Sequence, residues 1–220
     1  CCFPCRNVYC HAAELYGEGY FLRAEGSNYK DYRWLPTETI AMAKSLIRLL
    51  NVHWGETICD IGCARGYLCR ALREIGHASY GYDISKWAIE NCDETVREYV
   101  SNKFPSQPYD YFTLKDLVEH VPVSELSIML SKLLDLVKNA ILIIVPLSSE
   151  AGGPYVRKED NMDATHLIRW PLESWLDYAQ SLVSHDKFLV SGSWHWPGLK
   201  PSSGTVMKSC GFVLIKRICA

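Results

Sequence analysis

Residues 57–67 read Thr57-Ile58-Cys59-Asp60-Ile61-Gly62-Cys63-Ala64-Arg65-Gly66-Tyr67, and they decide the fold. Thr57 to Ile61 suit a buried strand, the turn after them carries Gly62 and Gly66, and YLCRALREI then has helical spacing until Gly76 stops it. A strand that turns through glycines straight into a helix opens a βαβ unit, because a parallel neighbour can only be reached by a long crossover.

Outward from this turn the same alternation continues. ASYGYD is the next strand, and Ser85 caps a helix whose face is Ala88, Ile89, Cys92, Val96 and Tyr99. YDYFTLKD predicts a strand ending near Asp116, Ser124 to Val137 a helix, AILIIVPL a strand buried on both faces, and Leu172 to Leu182 a last helix. Upstream, Ile40, Ala43, Ile47 and Leu50 share one face of a helix that begins at Pro36, with Thr37 as a plausible N-cap and Asn51 at its exit. Strands alternating with helices predict an α/β fold, a doubly wound and mostly parallel Rossmann-like sheet. FLVSGSW and FVLIKRI have no helix between them, so they close the sheet as an antiparallel pair. Residues 1–35 show neither periodicity and read as a Cys/Tyr-rich N-terminal cap or lid, with the sheet domain over 36–220.

Composition narrows the partners. The 220 residues are 48% hydrophobic and 22% charged, which excludes a disordered chain. Lys and Arg number 23 against 25 Asp and Glu, a net charge of −2, so no basic field is available to gather a polyanion and nucleic acid is not expected. The apolar run around residues 140–147, broken by Pro146, is far short of the roughly 20 residues that cross a bilayer, so no membrane partner is expected either. The chain opens on Cys1, which reads as a trimmed or excised domain, and no targeting pattern follows. Cys59, Cys63, Cys69 and Cys92 fall in core elements as small apolar side chains, and a reducing, cytoplasmic setting is expected.

In an open parallel sheet the ligand sits beyond the carboxyl ends of the strands, so the turn at 60–66 predicts the site. Two ligand classes use such a turn. A dinucleotide would bring its pyrophosphate beside Asp60, which repels it, whereas S-adenosylmethionine (SAM) brings an ammonium and a cationic sulfur and no phosphate. Only Gly62 and Gly66 are present of a G-x-G-x-x-G pattern, which also favours the methyl donor over NAD. Asp83, at the end of the second strand, can accept both hydroxyls of a ribose, a requirement the two ligands share.

ICDIGCARGYLCRAL, GYDISKWAIENC and KDLVEHVP resemble successive motifs of the class I SAM-dependent methyltransferases, over about Ile47 to Leu147. The resemblance implies that 36–220 is a methyltransferase domain, and the neutral charge balance, compact size and long loops at Ser148 to Thr165 and Trp194 to Cys210 point to a small-molecule acceptor rather than a polymer. It implies further that Asp60, Gly62, Cys63 and Gly66 line the methionine part of SAM and that Asp83 holds its ribose. Ile84 would pack on the adenine, and the main chain at Leu114 and Lys115 would close the site. Two departures stand out. Ala64 occupies the place of a middle glycine, tolerable only if it keeps a negative φ. SNKFPSQP replaces a stretch where the family fits another strand and an adenine contact.

NMDATHLIRWPLESWLDYA resembles the family segment in which an Asp and a Thr-His pair precede the last helix. His166 is the candidate general base, since an imidazole can take a proton from a nucleophile at neutral pH, and Asp163 is the candidate that orients it. The alternative is that Thr165 and His166 only fix a loop to a helix. His120 is a further catalytic candidate or else part of a structural turn with Glu119. Tyr29 and Tyr32, among the aromatic residues of the opening zone (Tyr16, Tyr20, Phe21, Trp34), and Trp194 and Trp196 in the late loop are candidates for the acceptor pocket, or ordinary packing. No metal is expected; Cys2, Cys5, Cys10 and His11 have ligand types a zinc knuckle uses, but loosely packed thiols explain them as well. A non-catalytic SAM-binding module is the rival reading from another class.

Overall fold

The computed structural model describes residues 14–27, 29, 31–194 and 208–218. Its elements are α1 (Glu18–Leu22), α2 (Pro36–Leu50), β1 (Thr57–Ile61), α3 (Tyr67–Glu74), β2 (Ala78–Tyr82), α4 (Lys86–Glu90), β3 (Val100–Ser101), β4 (Tyr109–Lys115), α5 (Val123–Leu136), β5 (Val137–Pro146), α6 (Leu172–Leu182), β6 (Phe188–Ser193) and β7 (Cys210–Arg217). The seven strands form one sheet in the order β3-β2-β1-β4-β5-β7-β6. The first five are parallel, and β7 runs antiparallel to both β5 and β6. The doubly wound sheet and its antiparallel closing strand therefore match the expectation.

Helices cover both faces because the central strands are apolar on both sides. Along β5, Ile141, Ile143 and Val145 pack with α5 and α6 through Leu126, Leu130, Leu133 and Trp175. Ala140, Leu142 and Ile144 point the other way, onto α2 and α3 through Leu46, Leu50, Ala71 and Leu72. α2 starts with Pro36 at its first turn after Leu35, not with Thr37 as N-cap; it ends where Asn51 takes the left-handed conformation (φ 54°).

Two further expectations need correction. The helix expected after Ser85 lasts only five residues, α4, because Asp93 turns its carboxylate to the N–H of Thr95 and starts a separate 3-10 turn over Glu94–Val96. Arg70 holds the other Asp93 oxygen at 2.8 Å, fixing the break. The stretch taken to lack a strand begins within β3 (Val100–Ser101), which adds to β2 through the Gly81 N–H to the Tyr99 carbonyl (2.9 Å) and the Asp83 N–H to the Ser101 carbonyl (3.1 Å). The second of these bonds bears directly on the position of Asp83.

The described part of residues 14–35 forms an aromatic-rich cap. Tyr20 and Phe21 are buried against Ala64 and Ala88, with Tyr16, Tyr29, Tyr32 and Trp87 packed around them. Phe21 stacks on Trp87 with ring centroids 5.5 Å apart, and Tyr32 stacks on Tyr67 at 5.3 Å. No helix among the described residues is long and apolar enough to cross a membrane.

Candidate active site

Asp60, next to last in β1, pairs with Thr113 of β4, and this register lets the Thr113 hydroxyl donate to Asp60 Oδ1 at 2.8 Å. The carboxyl is 4% exposed, and burial raises its pKa to about 7, against the opposing effects of the Thr113 hydroxyl and Lys115. Asp83 follows β2 and is also buried. Its Oδ2 accepts the Ala64 N–H at 2.7 Å and its Oδ1 the Ser85 N–H at 2.8 Å; burial raises its pKa while these two donors pull it down. Each carboxylate oxygen keeps a further lone-pair direction, so acceptance from a ribose remains open to it.

Ala64 has φ 49°, not the negative value on which tolerance of its methyl group was expected to depend. The Asp83 carboxylate holds its N–H in this turn, and the residue bears the steric cost of a left-handed conformation without glycine's freedom. Gly62 (φ 82°) and Gly66 (φ 78°) share that region of backbone space. A methyl group on Gly62 would lie 3.0 Å from Leu117 and one on Gly66 2.9 Å from Val96, so both glycines serve conformation and protein packing together. The Cys63 side chain packs with Cys69, Cys92, Val96 and Val100, so only its main chain is left to line the turn. Leu114 is likewise buried in the core, Ile84 is half-buried, and Lys115 forms a 2.6 Å ion pair with Asp116.

The histidine candidates come together through an unexpected connection. The Glu119 carbonyl accepts the N–H groups of Leu167 and Ile168 at 2.8 and 3.0 Å, which ties the turn after β4 to the segment carrying Asp163 and His166. The His120 and His166 ring centroids are 4.5 Å apart. Asp163 does not grip His166: its Oδ2 accepts the Tyr20 hydroxyl at 2.9 Å, and its Oδ1 accepts the N–H and hydroxyl of Thr165 at 2.9 and 2.5 Å. The Thr165 hydroxyl has one proton, given to Asp163, so it accepts from His120 Nδ1 at 2.7 Å. Asp163 thus orients His120 through Thr165, and His166 is held by donating from Nδ1 to the Asp160 carbonyl at 2.8 Å. Burial is the first cause lowering both histidine pKa values, that of His120 to about 4 with the nearby His166 adding to the effect.

The cap joins the carboxylates to the histidines. The Tyr16 ring meets His120 edge-on at 6.0 Å, and the Tyr16 carbonyl accepts the Ser85 hydroxyl at 2.5 Å. Burial raises the Tyr32 pKa strongly, with Tyr29 and then Asp60, Cys63 and Asp83 adding to the effect, which places that hydroxyl in the field of the carboxylate pair. Arg65 donates to the Tyr32 carbonyl at 3.2 Å and holds the cap to the turn. Trp194 stands apart. It follows β6, four strand positions from β1 and so about 19 Å across the sheet, is 40% exposed, and lies under Lys208 at 5.6 Å. Trp196 and the cysteines at 1, 2, 5 and 10 with His11 lie outside the described residues. Thr113 and the relay role of Thr165 were missed; a threonine inside the apolar strand YDYFTLKD, two positions before Lys115, was the available signal for the first.

A family model described as a methyltransferase domain matches residues 38–190. Over 102 residues the chain is 28% identical to the magnesium-protoporphyrin O-methyltransferase of Synechocystis sp.; the matched stretch is 40% of this chain and 44%, less than half, of that enzyme. The crystal structure of magnesium protoporphyrin IX methyltransferase from Synechocystis with bound SAM has a TM-score of 0.57 at 16% identity, covering 83% of this chain and 81% of that one. A SAM-dependent methyltransferase from Archaeoglobus fulgidus has a TM-score of 0.61 at 20% identity, covering 81% and 94%. These two likenesses show a shared fold. The family match runs from the first turn of α2 into β6, taking in the glycine turn, both carboxylates and the histidine pair, and the chain therefore belongs to the methyltransferase domain family.

Proposed function

We propose that the protein transfers a methyl group from SAM to a small-molecule acceptor. The observation that carries this reading is the buried pair Asp60 and Asp83 at the carboxyl ends of β1 and β2, with a glycine turn between them. Burial disfavours the charge on both, so the ligand that fits is one that brings positive charge and hydroxyl donors; a pyrophosphate would raise their pKa values further. When bound, SAM supplies a methyl group already activated on a cationic sulfur. Asp60 and the main chain at Gly62, Cys63 and Gly66 would hold its methionine end and Asp83 its ribose. Ile84 would pack on the adenine, with the main chain at Leu114 and Lys115 closing the site.

The chain's own work is then to bind, orient and exclude water. Residues 1–35 act as the cap over the methyltransferase domain 36–220, and within it Tyr29 and Tyr32 wall the acceptor pocket. His120 and His166 stand on the acceptor side, with Asp163 as a positioning residue for His120 through Thr165. Asp60 near the reaction centre and the net charge of −2 favour a neutral or cationic small acceptor over a polyanion. A cytoplasmic setting belongs to the same reading, since Cys59, Cys63, Cys69 and Cys92 are buried free thiols.

The test is a product screen with SAM labelled at the methyl group and a panel of hydroxyl, amine and carbon acceptors. Label in a small product that vanishes with Asp83→Ala is the expected result; label entering only nucleic acid would contradict the acceptor class.

A further inference from the structure

We propose that Glu119, His120 and His166 form a binding site for a divalent first-row transition cation. One ligand atom from each residue lies within 4.8 Å of the others. Glu119 is fully buried, and the 3-10 turn over Val118–His120 presents it and His120 together at the carboxyl end of β4. The bonds from the Glu119 carbonyl to Leu167 and Ile168 bring His166 alongside.

The imidazoles are arranged as ligands are. Each donates from Nδ1 to an oxygen, His166 to the Asp160 carbonyl and His120 to the Thr165 hydroxyl, which is itself bonded to the Asp163 carboxylate. That leaves Nε2 of both rings as the lone-pair nitrogen, with tautomer and ring orientation fixed by a second layer of hydrogen bonds. Two imidazoles and a buried carboxylate, each with a ligand atom inside this 4.8 Å span, are a donor set suited to a cation. Two nitrogens and one carboxylate suit zinc, iron or cobalt, and three protein ligands leave a coordination position open. Tyr16 of the cap lies against His120, which stands on the side assigned above to the acceptor. Resting on that reading, the acceptor is one that presents a hydroxyl oxygen to the cation.

Cobalt(II) titrated into the metal-free full chain tests the site, because its visible spectrum separates nitrogen and oxygen ligands from thiolates. The expected result is one equivalent bound, with d–d absorption, no thiolate charge-transfer band, and at least tenfold weaker binding in His166→Ala and in Glu119→Gln, the latter keeping the size of the buried side chain. Circular dichroism and SAM affinity, both measured without turnover, establish that each variant is folded. No spectral change on the wild-type chain, a thiolate band alone, or equal binding by wild type and both variants would overturn the proposal. SAM binding without cobalt binding would sink the cation site and spare the methyltransferase reading; cobalt binding without SAM binding would do the reverse.

Discussion

Asp60 carries the clearest conflict between stability and function. Its ordinary pKa is 3.8 and its folded value about 7, so between those pH values the native chain holds a proton that the unfolded chain has lost. Stability from this group therefore falls as pH rises from about 4 to about 7 and stays reduced above that. Asp60→Asn keeps the shape and removes the charge. Thermal unfolding of the variant is expected to exceed wild type above pH 7, by about 2–4 °C for each kcal/mol recovered, with the difference closing towards pH 4; calorimetric titration is expected to find SAM binding lost. A variant less stable at high pH would mean that the carboxylate is not the burdened group.

Ala64 is the second position where one atom decides an effect. Its φ of 49° places a methyl group where glycine would be unstrained, so Ala64→Gly is expected to stabilise the fold by about 0.5–1 kcal/mol in urea unfolding, with SAM affinity unchanged. The substitution to glycine tests whether the hydrogen bond to Asp83 alone sets this conformation.

At the scale of the element, the turn between β1 and α3 depends on Gly66. A methyl group there would meet Val96 at 2.9 Å from a backbone at φ 78°, so Gly66→Ala is expected to cost several kcal/mol by the same unfolding measurement and to weaken SAM binding with it. The contact also explains what the sequence concealed. Strand β1, helix α3 and strand β5 were legible because each carries its own periodicity or apolar run and is bounded by glycine or proline. Helix α6 was read to the residue, Leu172–Leu182. The segment 85–99 was misread as one long helix because Ala88, Ile89, Cys92, Val96 and Tyr99 keep helical spacing across a break that Asp93 creates, by capping Thr95 and pairing with Arg70. Strand β3 is two residues long and has no pattern of its own; its existence follows from the free edge of β2. Asp60, Asp83 and the glycines were legible because they sit next to one another in the chain or at strand ends. The approach of His120 to His166 and the Thr165 relay were not, since they depend on bonds between segments 45 residues apart.

At the scale of the molecule, the cap packs directly onto the sheet end that carries the glycine turn. Tyr20 reaches Asp163, Tyr32 is held by Arg65, and Phe21 stacks on Trp87, so the aromatic cluster links the glycine turn to the segment that carries Asp163 and His166. Tyr29 and Tyr32 are only partly buried in that cluster. The double substitution to Ala is expected to lower methyl-transfer rate at least tenfold while shifting the unfolding midpoint little; proportionate loss of both would reduce the cap to packing over the sheet edge.

The central claim is that Asp60 and Asp83 receive a nucleoside bearing positive charge. Isothermal titration of the wild-type chain near pH 7, in two buffers of different ionisation enthalpy, measures it directly. Saturable binding of one SAM per chain is predicted, with a buffer-dependent heat as Asp60 gives up its proton to the arriving cation, and no saturation with NAD. Saturable binding of NAD with none for SAM would contradict the account.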